Sequence, residues 1–540
     1  MALAGTIVGP FQSEAEAAAP APKDTTAVLF SYPWNTIAEQ CETVLCPAGY
    51  GYVQTSPPQE AVPTPEWWGI YQPVSYKLES SFGTEAEFQS MVKRCNDAGV
   101  KVIADAVINH MSGQPGGGVG TGGTKFDYFN YPGLYGPSDF HSCNRNISNY
   151  RDRYEVQECR LVGLSDLNTG SQYVQQTLAG YLNKLIGMGV GGFRIDAVKH
   201  IAASDMDGIM SKVNMDGIYL VQEVIGAAGE PIQPSEYTHL GDVHEFSYAR
   251  NLKDHFQGNN LANLIKGDGI GTSWGMLPQA NAAVFVDNHD TERNGETLSY
   301  KNGATYDLAQ IFTLAWNYGS PSIQSGFAFN DTDQGPVREN GKVVAPVPGQ
   351  NGWTFKHAQN NIANMVGFRN QVQGTDVNSK WDNGSSAIAF GRGSDGFVVI
   401  NNGGGSVNNT FSTKLPDGEY YNVIEATKGL DGKWSGPTVT VSGGKFTASV
   451  NGKTALALHT GATAGPACED TKAPSTPQNV AATVSGTSVT VSWKASTDDC
   501  GVAGYDIVRK NSATGASKTL TSTETKLVDK GLDPLTKYTY

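Results

Sequence analysis

Gly192-Phe193-Arg194-Ile195-Asp196-Ala197-Val198-Lys199-His200 is the stretch on which the fold turns. Its polar and apolar residues alternate as they do on a strand. Arg194, Asp196 and Val198 share one face, and Phe193, Ile195 and Ala197 the other. A strand buried on both faces carries an arginine and an aspartate two residues apart only where the two groups pair. Taken alone, the stretch leaves two readings open. It is either a structural ion pair or a working carboxylate near the C-terminal end of a parallel strand, where barrels and open sheets present catalytic groups.

Outward from that strand, short apolar runs at 27–32, 50–56, 102–108, 218–224, 242–246, 283–286 and 320–325 read as further strands. Amphipathic patterns such as 85–98, 171–188 and 306–317 read as the helices between them. Eight β–α alternations predict an α/β fold, a closed (β/α)8 TIM barrel over residues 25–375. One connection breaks the rhythm. Between His110 and Ser171 lie about 60 residues, rich in glycine from Gly113 to Gly123. A loop of that length is a subdomain or a functional lid, and it is placed at about 111–165. From 376 to 461 the helical period gives way to strands between Gly/Asn turns, an antiparallel β-sandwich. A linker follows at 462–477. Residues 478–540 alternate strictly, and their ending, with Leu532, Pro534, Thr536, Tyr538 and Tyr540 at every second position, resembles the tyrosine-corner turn of fibronectin type III domains. The last strand of such a module is missing, so the chain is expected to be a fragment cut inside it.

Composition narrows the partners. With 38 basic and 52 acidic residues the net charge is −14, which argues against nucleic acid or an anionic membrane. Only 17% of residues are charged, while Gly, Tyr and Trp number 64, 23 and 9, a surface suited to a neutral, hydroxyl-rich ligand. No apolar run is long enough to span a bilayer. Residues 1–24 look like the remnant of a signal peptide, although a basic start is lacking. A secreted protein with disulfides is therefore expected. None of the seven cysteines forms a CxxC pair, which argues against zinc or thioredoxin chemistry, and the odd count leaves one thiol over.

Four segments stand at the C-terminal ends of expected barrel strands. They are Asp105-Ala-Val-Ile-Asn109-His110, the stretch with Arg194 and Asp196, Gln222-Glu223-Val224-Ile225, and Phe285-Val286-Asp287-Asn288-His289-Asp290. Single acids are commonly ion-pair partners. Acids on three strand ends facing one mouth raise one another's pKa and lower stability, so a chemical role explains them better. These four segments, with Leu164-Ser-Asp166-Leu-Asn168, Trp67-Trp68-Gly-Ile-Tyr71-Gln-Pro-Val-Ser-Tyr76 and Gly367-Phe-Arg369-Asn370, resemble the signature regions of the α-amylase family, glycoside hydrolase family 13.

The resemblance implies a retaining α-amylase that cleaves internal α-1,4-glucosidic bonds of starch, glycogen and maltooligosaccharides, acting as a secreted monomer. It makes Asp196 the nucleophile, kept ionised by Arg194, and Glu223 the general acid and base, its pKa raised among Val221, Val224 and Ile225. Asp290 would bind sugar hydroxyls and steady the oxocarbenium charge. His110 and His289 would donate hydrogen bonds to the sugar, Trp68 and Tyr71 would stack on it, and Arg194, Lys199 and His200 would also contact substrate. Trp67 is read as core instead. A retaining site needs the two reacting carboxyls about 5–5.5 Å apart. The resemblance further implies a calcium site from Asn109, Asp166 and the main-chain oxygens of Gln157 and His200, pinning the long loop to the barrel. Asn109 and Asp166 as mere turn caps are the plainer alternative. Chloride is not expected: Arg194 and Asn288 fit two of the family's anion ligands, but Ser322 stands where a basic residue is required. The family's disulfide positions match Cys41 with Cys95 and Cys143 with Cys159. Cys46 is expected to be a buried free thiol, and Cys468 to pair with Cys500. Two rivals remain at this stage, an exo-acting or transglycosylating relative and a non-catalytic glucan-binding barrel.

Overall fold

The computed structural model describes residues 23–429, 432–464, 473–498, 502, 504–522 and 525–540. The expected leader, but for its last two residues, and the expected Cys468–Cys500 pair lie outside the described residues. All eight expected strands form and close into one parallel barrel in sequence order. They are Thr26–Leu29, Tyr52–Gln54, Lys101–Ala106, Gly192–Ile195, Tyr219–Gln222, Asp242–His244, Ala282–Phe285 and Ser320–Ser325. Their sequences are almost wholly buried because helices such as Glu85–Asp97 and Gln172–Gly187 cover the outside and side chains fill the inside. Tyr52, Ile103, Tyr219, Val221 and Ala283 pack together as one such interior group. The helix Glu85–Asp97 begins on a reciprocal cap: Thr84 Oγ accepts the N–H of Glu87, and the Glu87 carboxylate accepts that of Thr84.

The fourth strand is shorter than its alternation predicts. Ala197 takes a left-handed conformation at φ 53°, which turns the chain into the tight turn Val198–His200, so Val198 leaves the face it was expected to share with Arg194 and Asp196. Ladder hydrogen bonds nevertheless run one step past the strand ends. Asp196 N–H donates to Ala106 O and Glu223 N–H to Ile195 O, both at 3.0 Å. Those two bonds fix both carboxylate-bearing residues at the barrel mouth.

The long third connection is a folded flap with little regular structure. It carries a small hairpin, Gly118–Val119 with Lys125–Phe126, and the helix Arg153–Glu158. The buried Glu60 carboxylate holds the hairpin, accepting the N–H groups of Gly122 and Thr124 and the hydroxyls of Ser75 and Thr124. This contact explains the local glycine content: a Cβ on Gly120 would fall 2.5 Å from Glu60 Oε1. Cys143 and Cys159 are bridged within the flap, and Cys41, next after the helix Trp34–Gln40, is bridged to Cys95 in the helix Glu85–Asp97. Cys46 is free but exposed, against the expectation of burial; it begins a short helical turn in which Pro47 is exposed as well.

After the barrel, Val377–Asp382, Ala387–Arg392, Gly396–Asn401 and Thr454–His459 form a four-stranded antiparallel sheet. Its two middle strands are buried on both faces. Ile388, Phe390, Val398 and Ile400 join the barrel core, while Ala389, Phe397 and Val399 join Phe411 and Phe446 in a second core. The pairs Val407–Ser412 with Lys445–Val450 and Gly418–Tyr421 with Thr438–Val441 complete this sandwich. The C-terminal module holds two three-stranded sheets around Val489, Val491, Trp493, Ile507 and Leu532.

At the base of the barrel Arg369 donates to both oxygens of Asp24, at 2.7 and 2.6 Å, and to the carbonyls of Trp316 and Gly319. The buried guanidinium thereby ties the chain entry to the last helix, Asn360–Val372, and to the eighth strand. Arg369→Ala leaves Asp24 buried and unpaired and should lower unfolding free energy by about 3–5 kcal/mol. Urea unfolding checks this, and the double variant Arg369→Met with Asp24→Leu should recover most of the loss.

Candidate active site

Arg194 rises from the fourth strand into the mouth and is almost completely buried. Its Nη1 donates to Asp105 Oδ1 at 2.8 Å and to Asp196 Oδ1 at 2.7 Å. Its Nη2 lies 2.7 Å from Glu223 Oε1, an ion-pair contact off the hydrogen-bonding direction. The parallel register sets Asp105 beside Arg194 and Arg194 beside Val221, so adjacent strands bring these groups together without any loop. The other oxygen of Glu223 accepts the N–H of Ala197 at 3.0 Å, a bond made possible by the left-handed turn. Asp105 also accepts the Tyr71 hydroxyl at 2.8 Å.

One guanidinium thus faces Asp105, Asp196 and Glu223, with Asp290 close by. Burial is the largest influence on each acid and pushes all four pKa values up, against the pull of Arg194. Asp105 and Asp290 both rise to about 7, the latter pushed further by Glu223 and Asp196. The net direction for Asp196 is upward, so burial outweighs the arginine expected to hold it ionised. For Glu223 the upward direction matches the sequence reading. Asp290 differs in being open to the cleft on one side, its side chain 40% exposed.

A cleft of about 840 Å³ opens above these acids. Asp196, Glu223 and Asp290 line it together, as do Trp68, Tyr71, His110, Lys199, His200 and His289. Arg194 lies beneath the floor and reaches the cleft only through the carboxylates it binds. Trp67, read as core, in fact does both jobs: it lines the cleft and packs edge-on against Tyr71 and His289. The His289 ring is sandwiched between Tyr71 and Phe30, with centroids at 5.0 and 4.8 Å and planes within 8°. Burial drives the pKa of His289 well down and that of His110 to about 4, leaving both rings neutral. His110 Nε2 donates to Tyr71 O at 3.0 Å.

Sequence reasoning missed several lining groups. Tyr150, Leu161, Val162 and Leu164 come from the flap, and Glu230 from the loop after the fifth strand. Lys199 bridges two of these, its ammonium paired with Glu230 and seated over the Tyr150 ring. Asp105 was visible as a strand-end acid but had no role assigned. The signal for its role is register, which sets Asp105 level with Arg194 on the adjacent strand.

The expected metal ligands fall in two contacting pairs of segments, Asn109 with Asp166, and the helix carrying Gln157 with the turn carrying His200. Asn109, Gln157, Asp166 and His200 are all buried, and Asn109 Nδ2 approaches Asp166 Oδ1 at 3.3 Å. His141 Nδ1 holds the other Asp166 oxygen at 2.6 Å, and His200 Nδ1 bonds Val156 O. Among the described residues no loop, turn or cap hydrogen bond uses the main-chain oxygen of Gln157 or His200. Nor does any cluster of three or more His, Cys, Asp or Glu there suit a metal, so a cation would rely on carbonyl and amide oxygens around one carboxylate. That donor set fits a hard ion such as Ca²⁺. Of the residues assigned to an anion site, Asn288 spends its side-chain oxygen on the N–H groups of Asp290 and Thr291. Ser322 pairs in the eighth strand with Thr26 and Phe285.

Known proteins match this architecture closely. Residues 70–421 fit the family model of the α-amylase catalytic domain, and residues 475–540 that of the fibronectin type III domain. The α-amylase of Streptomyces violaceus is 48% identical over 477 residues, covering 88% of this chain and 80% of that protein. The chain belongs to the α-amylase family. It is a glycoside hydrolase of that family, with relatives also among insects: the α-amylase of Tenebrio molitor is 44% identical over 438 residues, 76% of this chain and 91% of that one. Among solved structures, α-amylase I of Eisenia fetida superposes with a TM-score of 0.77 at 36% identity, over 83% of this chain and 99% of its own. A variant of that Eisenia enzyme has been solved with maltohexaose. The two rivals left open by the sequence lose ground to these matches, most of all the non-catalytic one.

Asp105→Asn removes one of the acids competing for Arg194. Asp196 and Glu223 then feel the guanidinium more strongly, so both should ionise at lower pH. Both limbs of the kcat/KM profile for starch hydrolysis should move down by about half to one pH unit. A pH–rate profile of the variant checks this.

Proposed function

We propose that the chain is a retaining endo-acting α-amylase in which Asp196 is the nucleophile, Glu223 the acid and base, and Asp290 the fixing carboxylate. The observation that carries this reading is the meeting of these three groups in one cleft over a shared guanidinium. Glu223, raised by burial, carries a proton for the leaving glycosidic oxygen, while an Asp196 oxygen forms the bond to the anomeric carbon. The bond to the departing oxygen breaks and a glycosyl ester remains on Asp196. Glu223, now ionised, takes a proton from water as that water attacks the same carbon, the ester breaks, and configuration is retained. Asp290, open to the cleft, is placed to accept sugar hydroxyls and to face the oxocarbenium charge.

The neutral histidines suit hydrogen bonding to a sugar. His289, clamped between two rings, is already oriented; His110 would exchange its bond to Tyr71 O for one to the substrate. Trp67, Trp68 and Tyr71 offer the stacking wall. Starch, glycogen and maltooligosaccharides are the substrates this cleft suits. The geometry at Asn109, Asp166, Gln157 O and His200 O supports a calcium ion, which would supply structural charge between flap and barrel and take no part in bond breaking. With Ser322 standing where the resemblance calls for a basic residue, chloride is assigned no role. The two disulfides support secretion into an oxidising compartment.

Glu223→Gln should lose at least about 10³-fold in kcat while its near-ultraviolet circular dichroism stays native. Retained turnover would remove Glu223 from the role of acid. Chromatography of soluble-starch digests should show a ladder of linear oligosaccharides early in the reaction. A single short product or cyclic products would replace the endo reading. Stripping calcium with a chelator should lower stability by about 2.7 kcal/mol relative to enzyme held at a hundredfold excess of calcium over Kd. Thermal unfolding in the two buffers measures it.

A further inference from the structure

Arg293 is a buried guanidinium that the chemistry above does not use and that does not itself line the cleft. It belongs to the short helix Thr291–Asn294 that follows Asp290, and its N–H donates to Asp290 O at 3.0 Å. Its side chain packs among three rings. The guanidinium carbon lies 4.2 Å from the centroid of Phe329, 4.8 Å from that of Trp67 and 5.4 Å from that of Phe327. Nη1 donates to the carbonyls of Thr332 and Gln334, at 3.0 and 3.3 Å, while Nε and Nη2 are buried without a hydrogen-bond partner. Glu292, Asp290 and Asp333 act on its charge, yet none of them accepts a hydrogen bond from it. What the rest of the guanidinium meets is aromatic, a set of cation–π contacts in place of hydrogen bonds.

Trp67 is tied to the same loop after the eighth strand. Its indole Nε1 donates to Thr332 O at 2.9 Å, so this one carbonyl accepts from both Trp67 and Arg293. Trp67 N–H donates to Asp333 O at 3.2 Å, and Glu66 forms an isolated antiparallel bridge with Gln334. Residues 330–334 are polar and exposed throughout, so their placement depends on these bonds and not on apolar packing. The same indole meets Tyr71 and His289 edge-on and lines the cleft. An aromatic wall favours binding most when its plane is fixed before the ligand arrives, since ordering a loose side chain offsets the gain. Arg293 touches both the indole and the loop, and it is rooted beside Asp290.

We propose that Arg293 is a positioning residue for glucan binding: it fixes the indole of Trp67 and the loop 330–334 against the turn that carries His289 and Asp290. A planar guanidinium suits this task, because its face packs on rings while its edge donates to carbonyls. One group then sets both the ring and the irregular loop beside it. Lysine, a single ammonium on a flexible stem, supplies these contacts less completely. Without the guanidinium, Thr332 O and Gln334 O each lose a donor and the indole loses the cation packed on it. The pull of Arg293 on Asp290 ranks below burial, Glu223, Arg194 and Asp196, so the loss should fall on binding and not on bond breaking. The effect on substrate rests on the reading of Trp67 as part of the stacking wall; the setting of the indole does not.

The test compares Arg293→Met, Trp67→Ala and the double variant. Arg293→Met should raise KM for maltohexaose about five- to tenfold with kcat within about twofold of native, and Trp67→Ala should raise KM at least as much. In the double variant, Arg293→Met should add less than about twofold to the KM of Trp67→Ala, since the group through which it acts is gone. The Kd of maltohexaose, titrated in the Glu223→Gln background, should weaken by the same factors. Near-ultraviolet circular dichroism reads the ring itself. The difference between native enzyme and Trp67→Phe should shrink to about half or less when both carry Arg293→Met. If Arg293→Met does not fold, Arg293→Lys carries the same comparisons, with KM expected to rise about two- to threefold. Equal loss from Arg293→Met with and without Trp67, a fall in kcat at unchanged KM, or an undiminished Trp67 band would each overturn the proposal. Unchanged KM and Kd in Trp67→Ala, with the Trp67 band still weakened by Arg293→Met, would remove only Trp67 from the stacking wall and leave its positioning by Arg293 standing.

Discussion

The Arg194 guanidinium is the constraint around which the barrel mouth is arranged. It is held at one level of three adjacent strands, and Asp105, Asp196 and Glu223 all lie within ion-pair distance of it. A buried cation with several buried anions is stable only when geometry is close and hydrogen bonds satisfy the remaining lone pairs. The barrel meets that condition with backbone register: ladder bonds at Asp196 and Glu223 place the carboxylates, and the left-handed Ala197 supplies the donor that completes Glu223. The groups proposed to react are therefore set by the backbone ladder of the barrel strands. Other parts of the cleft wall come from the flap and later loops.

The rest of the fold protects that arrangement from water and from movement. Arg369 with Asp24 closes the far end of the barrel, and one face of the following sheet continues the barrel core. Glu60 does a comparable job for the flap, taking four hydrogen bonds from the hairpin and its neighbourhood in a position inaccessible to solvent. In each case a buried charged group is satisfied from several chain segments at once. Such groups add specificity of placement where hydrophobic packing alone would tolerate sliding.

How much of this could be read in the sequence depended on whether the cause was local. The eight barrel strands were legible because each is a short, doubly buried run, and the residues at their ends were legible because acids there are out of place. The truncation of the fourth strand at Ile195 was not, since nothing in Ala197 itself announces a left-handed turn. The sandwich strands Val377–Asp382, Val407–Ser412 and Lys445–Val450 are hard to read in sequence because they are edge or half-exposed strands with many polar residues. The exposure of Cys46 follows from a helix end whose direction is set by distant packing. Tyr150, Val162 and Glu230 reach the cleft from irregular loops, where no period says which way a side chain faces. Asp105 lay between these extremes, visible as an acid but readable as a partner of Arg194 only once strand register was known.

The balance of charge at the mouth has a consequence for the proposed chemistry. Four acids share one guanidinium, so the ligand-free site is short of positive charge and stores the deficit as raised carboxyl pKa values. A neutral glucan does little to change that. The oxocarbenium-like transition state brings positive charge to the anomeric centre, between the carboxylates that have least compensation. Stabilisation is then greater for the transition state than for bound substrate, which is the condition for lowering the barrier and not merely tightening binding. A second arginine at the mouth would pair the acids more completely and make the protein more stable, and it would remove the electrostatic deficit that the transition state fills.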